Sequence, residues 1–437
     1  MRARRRWCAA GLVLGLVPAA RAQTLRIYHI DVDQGSATLL VSPSGNTLLV
    51  DSGRDGHGTR IRAVLQEAGL TRIDHFVATH YHDDHYGGID ELRVAPVIPI
   101  AHAYDRGDTA FIPASKRAKP AFRAYQTAVS GLVRQLTRGE TIPLDSAMTV
   151  TCISSGGAVL GETNPPQPGQ DENDMSVSLL ITFGDFRFFV GGDIETPTET
   201  KIANRDLVMD LDVYVANHHG ADNGSTQSLL DDMRPTVVVI SNGSRADYRH
   251  PRASTLLRMQ SLSPAPVIFQ TNRYLHQGDD GGNVADSLIA DLESSDTDGT
   301  ILVTVDQPSR SYTVSYGNRS HTFQTKLRTT ASLVIESLLP DPAGADAQLE
   351  EVTLRNDSTA AISLSGWVLR DASGRVWALA GLGSVNPGQT VTARRNGMPM
   401  SLDNDGDEIV LLDSTGGERD RFSYPDSQPG VRIQTGH

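Results

Sequence analysis

Thr79-His80-Tyr81-His82-Asp83-Asp84-His85 places three imidazoles and two carboxylates within six residues, directly after the apolar run Phe76-Val77-Ala78. In an extended segment alternate side chains point the same way. His80 and His82 can therefore grip one ion together, while Asp84 and His85 fall further along and can serve a second. Imidazole combined with carboxylate suits zinc and related transition metals, so one or two zinc ions are expected, with manganese as the alternative.

Working outward, three further groups stand where short apolar strands end. Asp51 closes Leu48-Leu49-Val50 and precedes Ser52-Gly53. Asp193 lies in Val190-Gly191-Gly192-Asp193-Ile194-Glu195, and two histidines end Val215-Ala216-Asn217-His218-His219-Gly220. An H-x-H-x-D-H run after a strand, with Gly87-Gly88 behind it, resembles the metallo-β-lactamase fold. The resemblance implies an α/β domain of αββα layering. It also implies that Asp51 supports the metal loop, that Asp193 bridges two ions, and that one of His218 and His219 is the late ligand. His218 is favoured because it comes first after the strand. The chain departs from the pattern in one respect. Many members carry a further His before the bridging Asp, and here only His102 lies in that interval. The corresponding loop reads Asn173-Asp174-Met175-Ser176, so Asn173 is expected near an incompletely furnished first ion position.

A closer resemblance follows from His29-Ile30-Asp31-Val32-Asp33-Gln34-Gly35-Ser36-Ala37. It is similar to the D-V-G-Q-G opening of the hydrolase domain in ComEC-type DNA-uptake proteins, with Asp33 in place of the usual Gly. Asn173 to Ser176, the Asp193 motif, His218-His219-Gly220, Ser241-Asn242-Gly243 and Tyr248-Arg249-His250-Pro251 follow in that branch's order. Arg249 replaces a common Gly. The resemblance implies phosphodiester chemistry. Asp84 would ligate and orient the nucleophile, and His250 would act at the phosphate with Arg249, Arg245 and Arg252 nearby. An exposed basic loop is the plainer reading of those arginines.

Composition sets the frame. A chain of 437 residues exceeds one ordinary domain, and 39% hydrophobic with 21% charged residues is ordinary for a soluble globular protein. Arg2, Arg4, Arg5 and Arg6, an apolar run from Trp7 to about Val17, and Ala20-Arg21-Ala22 read as a secretory signal peptide over residues 1–22. The twin-arginine match is weak. The expected location is therefore secreted or periplasmic, after cleavage near Ala22. No later apolar stretch reaches the ~20 residues of a membrane span. Loss of the five leader arginines takes the net charge from −13 to −18. Such a surface repels polyanions at long range and argues against non-specific nucleic-acid binding, though not against a local basic groove. Cys8 leaves with the leader, so Cys152 stands without an intramolecular partner and reads as a buried thiol.

Residues 23–320 alternate strands and helices. Leu25–Val32, Ala37–Val41, Thr47–Val50 and Phe76–Thr79 read as strands, and Arg60–Leu70 as an amphipathic helix. Ala103 to Gln135, with Arg106, Lys116, Arg117, Lys119 and Arg123, reads as an insertion or lid with a basic face. Gly317–Thr330 reads as a linker. Residues 331–430 hold short strands and turns, and Leu364-Ser365-Gly366-Trp367-Val368-Leu369 and Leu402-Asp403-Asn404-Asp405-Gly406-Asp407 resemble the lamin tail domain, an all-β immunoglobulin-like sandwich. Its expected role is to bind a macromolecular partner. Three functions stay open: a phosphodiesterase or secreted nuclease, a hydrolase of small lactams, lactones or thioesters, and a non-catalytic secreted binding protein.

Overall fold

The computed structural model describes residues 24–435 except 108–111, 113, 163–170, 245–246, 277–279, 294–298, 308, 327–332, 345, 359–360, 415 and 417. The leader and Arg245 thus lie outside the described residues. Two sheets face each other. The first has the order β17-β16-β15-β1-β2-β3-β4-β5-β6. Its strands are β1 (Thr24–His29), β2 (Thr38–Val41), β3 (Thr47–Val50), β4 (Ile73–Val77), β5 (Ile100–Asp105), β6 (Val133–Gln135), β15 (Ile301–Asp306), β16 (Ser311–Tyr316) and β17 (Arg319–Gln324). The second has the order β14-β13-β12-β11-β10-β9-β7-β8. It comprises β7 (Met148–Ser155), β8 (Ala158–Val159), β9 (Ser178–Phe183), β10 (Phe186–Val190), β11 (Val213–Val215), β12 (Val237–Ile240), β13 (Val267–Asn272) and β14 (Ile289–Asp291).

The layering follows from which side chains are apolar. Leu48 and Val50 of β3 enter the core between the sheets with Val150, Ile181, Phe188, Val213 and Val239. Leu49 turns the other way and meets Ile61, Val64 and Leu65 of the helix Gly58–Glu67. On the far side, Phe189, Tyr214 and Val238 bury the helices Thr196–Ala203, Gln227–Met233 and Ala253–Gln260 through Ile202, Leu229, Leu230, Leu256 and Met259. Strands covered on both faces read as continuous apolar runs. The result is the αββα sandwich that the resemblance implied.

β3, β4, β5 and β6 run parallel, as do β10, β11, β12, β13 and β14. Asp51, Thr79–His85, Asp193, His218–His219 and the Ser241–His250 loop all leave the carboxyl ends of such strands. Open parallel sheets gather ligand sites at that edge.

Two expectations need correction. The described residues of Ala103 to Gln135 are built into the fold rather than laid over it: they include the end of β5, all of β6, and the helix Pro120–Ala128, which buries Phe122 and Tyr125. Arg106 belongs to no basic face, being 1% exposed and bidentate to Glu172 at 2.7 Å through Nε and Nη2. Nor is Gly317–Thr330 a free linker. Its first half is β17, paired along β16, and the Thr325 and Lys326 amides donate to the Arg310 carbonyl and the Asp212 carboxylate. A polar strand at a sheet edge has no apolar period to betray it.

The C-terminal module forms its own core around Trp367 and Trp377. One of its sheets runs Thr390–Arg394, Glu351–Asn356, Leu333–Leu339, Ile433–Gln434. The other runs Val376–Ala378, Val368–Arg370, Asp407–Leu412, Glu418–Tyr424. Ile433–Gln434 pairs with Ser337 and Leu338, so the module continues past residue 430.

Candidate metal centre

The loop after β4 brings its imidazoles inward. His80 Nε2 lies 3.0 Å from His82 Nδ1, and His85 Nε2 lies 3.2 Å from His219 Nε2. Two nitrogens bound at about 2.0–2.1 Å to one tetrahedral ion sit roughly 3.3 Å apart. Asp193 stands between the pairs: its Oδ2 is 3.8 Å from His80 Nε2, 3.1 Å from His85 Nε2 and 3.5 Å from His219 Nε2. Asp84 Oδ2 lies 3.6 Å from His219 Nε2. Two sets of ligand atoms fall within 4.8 Å of one another, His80 with His85 and Asp193, and Asp84 with His85 and His219.

Hydrogen bonds behind the rings fix which nitrogen faces inward. Asp51, fully buried, accepts from the Thr79 amide at 2.8 Å, from Thr79 Oγ1 at 2.9 Å and from His85 Nδ1 at 2.8 Å. His219 Nδ1 donates to the Ser241 carbonyl at 2.9 Å. Both rings then turn an Nε2 lone pair toward the other. Two acceptors face to face need a cation between them, and an ion fits that need. Without one, burial alone would strip the proton from His85, but Asp193 and Asp51 outweigh it and hold its pKa well above the ordinary value. Burial opposes ionisation of Asp193 too, yet His85, His219 and His218 keep its carboxyl well below the usual range.

The expectation for the late histidine favoured His218, and the geometry groups His219 instead with Asp84 and His85. His218 and His219 both have left-handed backbones, φ 51° and 55°. That turn sends His219 inward, 3% exposed, and leaves His218 at the rim. There His218 Nδ1 meets Asn223 Oδ1 at 3.0 Å and Glu195 Oε1 at 3.4 Å, with Nε2 3.9 Å from Asp193. Successive non-glycine residues in this region cost ~1–3 kcal/mol each and persist where a site demands them. Glu199 holds the turn by accepting from Asn217 Nδ2 and the Ser225 and Thr226 amides, each at 2.6 Å.

Asn173 is buried, its Nδ2 donating to Glu195 at 2.7 Å while its Oδ1 has no partner. His250 packs its ring 5.4 Å from His218 and 6.1 Å from His219, and its Nδ1 is buried without a partner. Burial first, then the neighbouring imidazoles, lower its pKa to about 3. Arg249 and Arg252 extend outward and pair with Asp280. His102 is remote from the centre, stacked on His75 across β4 and β5.

The opening motif braces the centre rather than joining it. Gly35 has φ +141°, and a Cβ there would meet the Asp84 carbonyl at 2.5 Å. The Ser36 amide donates to that same carbonyl at 3.1 Å. Asp33 Oδ1 and Gln34 Oε1 accept from the Ser244 and Gly243 amides, tying the loop after β12 to the opening motif. Thr79 Oγ1 also contacts His80 Nδ1 at 3.1 Å, a role that nothing in the spacing of the motif announces.

This fold and donor set are suited to holding metal ions. Residues 30–241 match the metallo-beta-lactamase superfamily and residues 327–426 the lamin tail domain, so the chain carries one domain of each kind. Recombination protein 2 of Haemophilus influenzae is 24% identical over 55% of this chain and 27% of its own length. ComE operon protein 3 of Bacillus subtilis is 22% identical over 46% of this chain and 24% of its own. The chain thus spans about a quarter of the length of these relatives. The crystal structure of zinc-bound PqqB from Methylobacterium extorquens covers 54% of this chain and 85% of its own at 16% identity and TM-score 0.32.

Proposed function

We propose that the chain is an exported metallophosphodiesterase acting on nucleic acid, with zinc or manganese as its ion. The observation that carries this reading is a ladder of rings and cations leading away from the metal centre. His219 packs beside His250, the His250 ring lies 6.3 Å from Tyr248, and the Arg54 guanidinium sits 5.6 Å over the Tyr248 ring. Arg54 Nη1 is buried without a hydrogen-bond partner. Aromatic faces that stack bases beside cations that meet phosphates are the recurring equipment of single-strand binding. The name of one relative, Recombination protein 2, supports the same substrate class. The expected leader, residues 1–22, supports export, and no described helix is long and apolar enough to cross a membrane.

His80 and His82 would hold one ion, Asp84, His85 and His219 the other, with Asp193 shared. When bound, such ions supply Lewis acidity, which makes water nucleophilic near neutral pH and offsets charge developing at phosphorus. Asp84 orients the nucleophile. His250, neutral because it is buried, can donate one hydrogen bond to a phosphate oxygen, and Arg54 beside Tyr248 can hold the adjoining backbone. A panel of single- and double-stranded DNA, RNA and bis-aryl phosphates, assayed with zinc and with manganese, tests the reading. Metal-dependent cleavage is expected, with most of it lost in Asp193→Ala. Absence of cleavage across the panel overturns it.

A small acyl substrate is the second reading, favoured by the acidic surface of net charge −13 before any processing. Turnover of a lactam or acyl-lactone without phosphodiesterase activity would establish it.

A further inference from the structure

The histidines of the centre are not equally prepared for an ion. His85 and His219 each donate their outer Nδ1 proton to a fixed acceptor, Asp51 Oδ2 and the Ser241 carbonyl. His80 has Thr79 Oγ1 behind its Nδ1 at 3.1 Å. All three therefore turn Nε2 inward, the atom that an ion would take. His82 faces inward through Nδ1 instead, and behind its Nε2, at 2.7 Å, stands the Lys116 ammonium. An ammonium only donates. His82 must accept from it at Nε2, so the single proton of the neutral ring resides on Nδ1, the atom an ion would need. The bonds then run in one direction: Lys116 to His82 Nε2, His82 Nδ1 to His80 Nε2, His80 Nδ1 to Thr79, and Thr79 to Asp51 Oδ2. Among the described residues no carboxylate pairs with Lys116, whereas its neighbour Lys119 lies 3.8 Å from Asp83.

We propose that Lys116 is a cationic arm that guards the first ion position and is released from His82 by metal toward the anionic substrate. Ligation by His82 Nδ1 moves the ring proton to Nε2, where it faces the ammonium donor to donor. The two groups then separate or share an acceptor. An anionic oxygen accepts from both, which places a phosphate oxygen of the substrate between Lys116 and His82. The first position, guarded by a cation, is the weaker. The position of Asp84, His85 and His219, whose rings already point inward, is the stronger.

This inference rests on the phosphodiester reading for its substrate class but not for its test. The full chain, stripped of metal, is titrated with zinc against a competing chelator, as wild type, Lys116→Met and Lys116→Arg. Two affinities are expected in the wild type. In Lys116→Met the weaker should tighten about tenfold while the stronger stays unchanged, and inorganic phosphate should bind the zinc-loaded protein about tenfold more weakly. Lys116→Arg should keep wild-type behaviour in both. In the metal-free wild type, imidazole nitrogen shifts should place the His82 proton on Nδ1, and zinc should move it to Nε2. Unchanged zinc affinities in Lys116→Met, unchanged phosphate binding, or a metal-free His82 protonated on Nε2 would each overturn the proposal. If the shifts appear and no phosphodiester is cleaved, the functional reading fails and the guard stands.

Discussion

Asp51→Asn isolates how an outer carboxylate governs the metal. Asp51 binds no ion in the expected arrangement. It accepts three hydrogen bonds, from the Thr79 amide, Thr79 Oγ1 and His85 Nδ1, at 2.8, 2.9 and 2.8 Å. Asparagine has the same shape but replaces one accepting oxygen with a donating NH2. Turned one way, the amide NH2 opposes His85 Nδ1–H. Turned the other, it opposes the Thr79 amide. The Thr79 donor cannot change, so the NH2 faces His85, and the imidazole yields by moving its proton to Nε2. That proton then points at Asp193 and His219, and the lone pair needed by an ion is gone. Loss of such an outer partner costs about 10–100-fold in metal affinity, or about 1.4–2.7 kcal/mol. Competition with a chelator measures it, and circular dichroism checks that the variant is folded. The backbone bond to Thr79 survives, so folding should suffer less than metal binding. A folded Asp51→Asn protein with wild-type zinc affinity would refute the assignment of proton direction throughout the centre.

Other perturbations separate the remaining assignments. His219→Ala should remove one ion equivalent as measured by elemental analysis, whereas His218→Ala should retain both, because only His219 reaches Asp84 and His85. Gly35→Ala should lower both thermal stability and metal content, since a Cβ at φ +141° collides with the Asp84 carbonyl, a strain of ~1–3 kcal/mol or more. A chain ending after Lys326 should fold, bind metal and turn over small substrates at the full-length rate, with any loss confined to large partners. Loss of small-substrate turnover with metal retained would give the lamin tail domain a part in the active site.

Much of the centre was legible without coordinates because its groups are local or mark strand ends. The run from His80 to His85 needs only the alternation of an extended segment to bring two imidazoles together. Asp51 and Asp193 each follow an apolar strand, and parallel strands buried on both faces end at one edge. The α/β alternation followed from the same runs, and the αββα layering from the family they resemble. The sandwich module was visible in its turns and in Trp367, though Val376–Ala378 and Ile433–Gln434 are too short to carry a period.

The three-dimensional fold decided matters of direction and partnership. Which of two adjacent histidines faces the ion depends on a pair of left-handed residues held by Glu199, and no propensity announces that. Arg106 and Lys116 look alike in sequence, yet one is buried against Glu172 and the other stands behind His82. β17 is polar because it lies at an edge, so its sequence reads as linker. The direction of each hydrogen bond from Lys116 inward and toward Asp51 exists only once the helix Ala114–Arg117 and the ends of β3 and β4 have met. Sequence determined which chemical groups this protein owns and where its strands end. The tertiary structure determined which lone pairs meet, because that depends on contacts between residues from 22 to 134 positions apart.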